Sequence, residues 1–283
     1  MKTSVTSYSF GDYISPEKLG YLGIIDKAAE MGFDGIEFTD SKYLAEDENS
    51  AEKIRERCEK CGIEPVAFAV GANFLLPDID AEIARVCSLV DYAARAGFRL
   101  MRHDVAYGFP AELKHSRGYD DALPALVKGC RAVADYAAKH GIRTMTENHG
   151  FFSQDSARVE KLINTMAHDN FGALVDIGNF MCADEDPTHA VGVMAPYAFH
   201  VHAKDFYFKS GNEIDPGRGW FRTRAGNYLK GAIIGHGCAK VYQSIQTLKR
   251  AGYDGYVTVE FEGMEDKLVG IEVGLENLKR FIG

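Results

Sequence analysis

Positive charge is scarce in this chain. Its 32 Lys and Arg residues face 41 Asp and Glu, for a formal net charge of −9. A surface this acidic repels nucleic-acid phosphates unless a basic patch overrides it. No Lys/Arg run is long enough for that, so no nucleic-acid partner is expected. No stretch reaches the 18 or so uninterrupted apolar residues of a membrane span, so no membrane partner is expected either. Met1-Lys2-Thr3-Ser4-Val5-Thr6-Ser7 runs into a strand-like pattern with no apolar targeting segment. Cys58, Cys61, Cys87, Cys130, Cys182 and Cys238 are scattered, which suits a reducing cytoplasm better than a disulfide framework. A cytoplasmic location is the expectation. Cys58-Glu59-Lys60-Cys61 matches C-x-x-C. With no second pair and no nearby His pair, two thiols near the end of an amphipathic helix is the simpler assignment.

Short apolar runs alternate with longer stretches of helical period, the signature of βα units and a parallel sheet. The strand candidates are Thr3–Tyr8, Ile36–Phe38, Pro65–Val70, Leu100–Arg102, Arg143–Glu147, Ala173–Asp176, Ala198–Lys204 and Tyr256–Glu260. Helices are expected between them, the first capped by Ser15 with Pro16 at its first position. The longest connections are His103–Asp120 and a Gly-rich loop, Asp205–Gly237. The first strand lacks the G-x-G-x-x-G turn of an open dinucleotide-binding sheet, and there is no Pro/Ser-rich linker. The pattern therefore points to one α/β domain over residues 1–283, a closed (β/α)8 TIM barrel.

Four of these strands acquire a carboxylate or imidazole as they end. They close on Glu147-Asn148-His149, Asp176-Ile177-Gly178-Asn179, His200-Val201-His202-Ala203-Lys204 and Glu260-Phe261-Glu262. Ligands of this fold sit at that rim, and converging buried carboxylates need a cation. Glu147, Asp176, His202 and Glu260 would supply three carboxylates and one imidazole. Such a set suits Mn²⁺ or Mg²⁺, with Co²⁺ or Zn²⁺ possible. Strand alternation puts His200, His202 and Lys204 on one face, with His200 deeper as a core or supporting histidine. Glu262 shares the face of Glu260 and is the reserve ligand.

At these residues the chain resembles the xylose-isomerase-like TIM barrels of sugar phosphate isomerases and epimerases. The resemblance runs from Gly32-Phe33-Asp34-Gly35-Ile36-Glu37 to Gly252-Tyr253-Asp254-Gly255. It implies one divalent metal on Glu147, Asp176, His202 and Glu260. It also gives Glu147 and Glu260 the catalytic role of exchanging a proton on a small carbohydrate. Two positions depart from the family's patterns. Asn179 stands where epimerases often carry the His of D-x-x-H, and the G-E-G turn reads Gly235-His236-Gly237.

The expected chemistry is isomerisation or epimerisation through a metal-stabilised enediolate. A lyase or dehydratase acting on an inosose or keto-glycoside is the alternative, with His149 or His236 as its acid or base. Less expected are an endonuclease IV-like phosphodiesterase, which needs more ligands than are present, and a non-catalytic sugar-binding protein. Substrate contacts are expected from His149, Lys204, Arg102, Arg222, Arg224 and Trp220. A ring from Phe206, Tyr207, Phe208, Trp220 or Phe221 is expected near the metal. A homo-oligomer is compatible with the sequence.

Overall fold

The computed structural model describes residues 1–113 and 115–283. Parallel strands β1 (Lys2–Thr6), β2 (Gly35–Thr39), β3 (Glu64–Val70), β4 (Leu100–His103), β5 (Arg143–Glu147), β6 (Phe171–Asp176) and β7 (Ala198–Ala203) close a barrel with β11 (Tyr256–Val259). The order around it is β1-β11-β7-β6-β5-β4-β3-β2. Each strand is buried on both faces, which is why they read as apolar runs rather than alternating ones. Phe171-Gly172-Ala173-Leu174-Val175-Asp176 is buried throughout.

The helices cover the barrel by burying one stripe each. In α4 (Ile79–Ala96), Val86, Val90, Ala93 and Ala96 recur at helical spacing on the buried face. Asp78 caps its first turn by accepting from the Ala81 N–H at 2.9 Å. Helices α6 (Ser156–Met166) and α7 (Pro187–Met194) start the same way, on Asp155 and Asp186. The remaining helices are α1 (Gly20–Met31), α2 (Lys42–Ala45), α3 (Ser50–Cys61), α5 (Tyr119–Lys139), α8 (Val241–Arg250) and α9 (Lys267–Ile282). Cys58 and Cys61 are free thiols at the end of α3, Cys61 donating to Asp26. Among the described residues, no helix is long and apolar enough to cross a membrane.

The structure differs from the sequence expectation in three places. Strand β1 stops at Thr6, whose hydroxyl accepts from the Tyr8 N–H and starts a run of 3-10 turns, Ser7–Ile14. Helix α1 begins at Gly20, not after Ser15. Most of all, Asp205–Gly237 is not an open loop. It holds a three-stranded antiparallel sheet ordered β8-β10-β9, made of β8 (Asp205–Lys209), β9 (Phe221–Arg222) and β10 (Tyr228–Ala232). Phe206 and Leu229 are buried together against Cys182, anchoring this sheet to the segment that follows β6.

Candidate metal centre

Strand register places four donors at one end of the barrel. Asp176 on β6 pairs with His202 on β7, and His202 pairs with Thr258 on β11, two residues before Glu260. Glu147 ends β5. The end of β6 can crowd β7 because residue 178 is glycine; a Cβ there would sit 2.8 Å from the Lys204 carbonyl oxygen. One donor atom each from Glu147, Asp176, His202 and Glu260 lies within 4.8 Å of the others. His202 Nδ1 is 2.6 Å from Glu260 Oε2, 3.8 Å from Asp176 Oδ2 and 3.9 Å from Glu147 Oε1.

Ligands bonded to one ion at about 2.0–2.4 Å lie no more than about 4.8 Å apart, so this spacing fits a divalent cation. A second observation agrees. Asp176 Oδ2 is buried and takes part in no hydrogen bond. Lys204 Nζ stands 3.3 Å from it without the geometry of one. The ammonium offsets its charge but takes up neither lone pair in a hydrogen bond, so the oxygen keeps a donor position for a metal.

Above these donors is a cavity of about 210 Å³. Its walls include Tyr8, Glu37, Arg102, His149, Lys204 and Glu262. Lys204 Nζ lies 3.1 Å from Glu260 Oε1 and donates to Asn179 Oδ1 at 3.2 Å. Burial opposes the Lys204 charge, but Asp176 and Glu260 outweigh it and hold the ammonium well above its ordinary pKa. Burial likewise opposes the charge of Glu260, yet Lys204 and His202 keep it well below the usual carboxylate range. Asp176 goes the other way: burial pushes it up to about 6 against the pull of Lys204.

Arg102 donates from Nε to Glu147 Oε2 at 2.7 Å, and Asn179 Nδ2 donates to Glu147 Oε1 at 2.9 Å. Arg102 also reaches Asp104 Oδ1 at 3.2 Å. His149 Nδ1 is 2.9 Å from the same oxygen. Burial disfavours the Asp104 charge, but Arg102 and His149 bring its pKa down to about 2. For His149, burial works against the imidazolium, and the Asp104 hydrogen bond together with the charges of Glu147 and Asp104 outweighs it, raising the pKa.

This barrel and its rim match known proteins. The sequence profile described as xylose isomerase-like TIM barrel fits residues 25–281. The chain belongs to the xylose isomerase-like TIM barrel family. Among solved structures it is similar to the IOLI protein with a bound zinc atom, at TM-score 0.78 and 16% identity, covering 100% of this chain and 98% of that one. It is similar to D-psicose 3-epimerase with D-tagatose from Clostridium cellulolyticum H10, at TM-score 0.75 and 16% identity, covering 100% and 99%. It is also similar to the probable 3-DHS dehydratase AsbF of petrobactin synthesis from Bacillus anthracis, at TM-score 0.74 and 17% identity, covering 99% of both. No curated protein matches the sequence significantly.

Within this xylose isomerase-like barrel, the sequence-predicted residues separate into two groups. Glu147, Asp176, His202, Glu260, Lys204, Arg102 and His149 come together. Arg222, Arg224 and Trp220 are not among the residues lining the cavity. Arg222 donates to the Tyr228 hydroxyl, and Trp220 lies beneath the Lys230 ammonium, both within the β8-β10-β9 sheet. Arg224 ties that sheet to the rim through Asp155 (2.9 Å) and the Phe151 carbonyl (2.7 Å). Phe206, Tyr207, Phe208 and Phe221 do not line the cavity either; the ring that does is Tyr8. His236 is exposed on the turn after β10. His200 is fully buried below His202.

Sequence reasoning assigned no role to Glu37, Asp104 or Tyr8. Glu37 carried a usable signal, a lone carboxylate between Ile36 and Phe38 in an apolar strand. Alternation turns it into the barrel while its neighbours face the helices.

Proposed function

We propose that this chain is a divalent-metal-dependent isomerase or epimerase of a small carbohydrate. The observation that carries this is the Glu147, Asp176, His202 and Glu260 donor set at the base of a sugar-sized cavity. Mn²⁺ or Mg²⁺ suits three carboxylates and an imidazole, with Co²⁺ or Zn²⁺ as alternatives. A zinc-bearing and a sugar-bearing relative of the same fold support that reading. When bound, the ion would supply the positive charge that acidifies the carbon between a carbonyl and a hydroxyl and stabilises the enediolate.

The protein's own groups do the rest. Glu147 and Glu260 approach the cavity from β5 and the end of β11, three strands apart around the barrel. A carbon between them can lose its proton to one carboxylate and regain one from the other. Glu260, held ionised by Lys204 and His202, is ready to accept. Arg102 and Asn179 each hold one oxygen of Glu147, fixing its plane. Lys204 and His149 are placed to bind substrate oxygens, and Arg102 to orient Glu147. Arg222, Arg224 and Trp220 would act through the sheet covering the rim rather than from the cavity wall.

The Asp104–His149 pair favours a second reading. With Nδ1 held by Asp104, His149 keeps Nε2 available as acid or base. That would let it protonate a leaving β-substituent, making the enzyme a lyase or dehydratase of an inosose or keto-glycoside; a probable dehydratase of the same fold supports it. The test is a screen of ketoses, inososes and keto-glycosides with Mn²⁺, followed by NMR in D₂O. Deuterium entering beside the carbonyl supports the isomerase, and release of water or aglycone supports the lyase. A bound sugar that shows neither overturns both.

A further inference from the structure

We infer that Glu37 is a positioning residue for the metal centre, holding the His202 ring so that Nδ1, not Nε2, faces the ion. The inference rests on the metal site proposed above. Glu37 is on β2, and the barrel order β2-β1-β11-β7 puts it three strands from His202. It meets His202 across the interior, not as a strand neighbour. Glu37 is fully buried. Its Oε2 lies 3.0 Å from His202 Nε2 and 3.2 Å from His200 Nε2. Among the described residues, no Lys or Arg pairs with it, and its Oε1 has no partner at all.

A carboxylate only accepts, so Nε2 of His202 carries the hydrogen of its 3.0 Å bond to Glu37. Without an ion, Nδ1 donates as well, to Glu260 Oε2 at 2.6 Å, so the ring is an imidazolium held between two carboxylates. An ion among Glu260, Asp176 and Glu147 would take the place of the Nδ1 proton and leave a neutral ring that keeps its hydrogen on Nε2, toward Glu37. His200 packs edge-on to that ring, with centroids 5.6 Å apart and planes at 78°. His200 is itself anchored by Thr258 Oγ1 at 2.8 Å, and Thr258 by Ser4 Oγ at 2.5 Å. Glu37 thus fixes the tautomer while His200 limits the tilt. Stability alone does not account for this arrangement, because an apolar residue of similar volume fills a barrel interior at lower cost than a buried charge. A carboxylate on the far nitrogen of a metal-binding imidazole orients the ring and strengthens it as a donor, an effect typically worth about 10- to 100-fold in metal affinity.

The test is Mn²⁺ titration of wild type, Glu37→Gln and Glu37→Leu, following free Mn²⁺ by EPR. Imidazole nitrogen NMR of the Zn²⁺-loaded wild type runs alongside it. The expected result is binding weakened about 10- to 100-fold in both variants, with native circular dichroism retained. In the NMR spectrum His202 should carry its proton on Nε2, in slow exchange with water. Variant affinities within about twofold of wild type overturn the role of Glu37 and leave the metal site standing. A wild type that takes up no metal overturns both. If neither variant folds, the spectrum decides: a proton on Nδ1 of His202 sinks the inference.

Discussion

Arg102 and Glu147 form a buried pair in which the guanidinium Nε donates to Glu147 Oε2 at 2.7 Å while Nη2 reaches Asp104 Oδ1 at 3.2 Å. One cation therefore serves two carboxylates, and Arg102 is only 8% exposed. Removing it takes the nearest cation from Glu147 and leaves Asp104 with His149 alone. Arg102→Met is expected to cost about 3–5 kcal/mol of stability, read by denaturant unfolding. Arg102→Lys should not rescue it, because an ammonium lacks the planar fork that spans two acceptors. Unfolding midpoints equal to wild type would show that the pair is dispensable.

Asp176→Asn should separate stability from metal binding. Burial raises the Asp176 carboxyl to about 6 in the metal-free protein, above its ordinary value of 3.8. The folded state therefore holds its proton more tightly than the unfolded chain. Stability from this group is present at low pH and is lost as pH rises through that window. At pH 7 the metal-free Asn variant should be more stable, on the order of 1–3 kcal/mol. Mn²⁺ should raise the Tm of wild type, since a ligand of the folded state alone stabilises it, and not that of the variant. Equal Mn²⁺-induced shifts would remove Asp176 from the ligand set.

His103 should make the protein acid-sensitive. It is fully buried, and burial lowers its pKa from 6.5 to about 4. Its Nδ1 meets the Asp104 carbonyl at 2.9 Å, and Nε2 has no partner. The unfolded chain takes up the proton first, so stability is complete above pH 6.5 and declines as pH falls toward 4. The full effect is on the order of 3 kcal/mol. Because Asp176 works in the opposite direction over part of this range, the diagnostic quantity is the difference between wild type and His103→Gln. A difference independent of pH would contradict this assignment.

Gly237 is expected to tolerate no side chain. Asp205 Oδ2 accepts from the N–H groups of Gly235 and Gly237, and Oδ1 from those of Phe206 and Ala239, all at 2.9 Å. A Cβ on residue 237 would lie 2.3 Å from Asp205 Oδ1 and 2.5 Å from the Phe206 carbonyl. Gly237→Ala should lower stability by about 1–3 kcal/mol. Asp205→Ala should destabilise the same turn, and the two effects should fall short of additive because they break one cradle.

Arg224 should affect substrate more than metal. Its bonds to Asp155 and to the Phe151 carbonyl join the β8-β10-β9 sheet to the loop just beyond His149. Arg224→Ala is expected to raise KM several-fold while leaving Mn²⁺ affinity unchanged. Trp220→Ala, outside the cavity wall, should have the smaller effect. If Arg224→Ala weakens the metal instead, the rim and the metal centre are coupled more tightly than the hydrogen bonds imply.

How far the site could be read in advance depended on the kind of residue. Glu147, Asp176, His202 and Glu260 each break an apolar strand at its end, and one periodicity marks all four. Glu37 breaks its strand in the same way but has no polar companion nearby in sequence; its partners are 163 and 165 positions on. Asp104 lay hidden in what reads as the start of a loop. Phe206, Tyr207 and Phe208 sit among glycines that read as flexibility, and only pairing with Tyr228–Ala232 reveals a strand.

The sequence by itself determined the barrel, pointed to one rim for the site, and put His200, His202 and Lys204 on one face of their strand. These follow from local rules: strand and helix periods, and the cost of a carboxylate in an apolar run. Tertiary structure decided which charges neutralise one another. That Arg102 holds Glu147 and Asp104 together and that Lys204 reaches both Asp176 and Glu260 depend on which strands lie side by side, and that Glu37 crosses the barrel to His202 depends on closure. The fold brings side chains 56 and 165 residues apart to within 3.1 and 3.0 Å, where each charge sets the ionisation of the next.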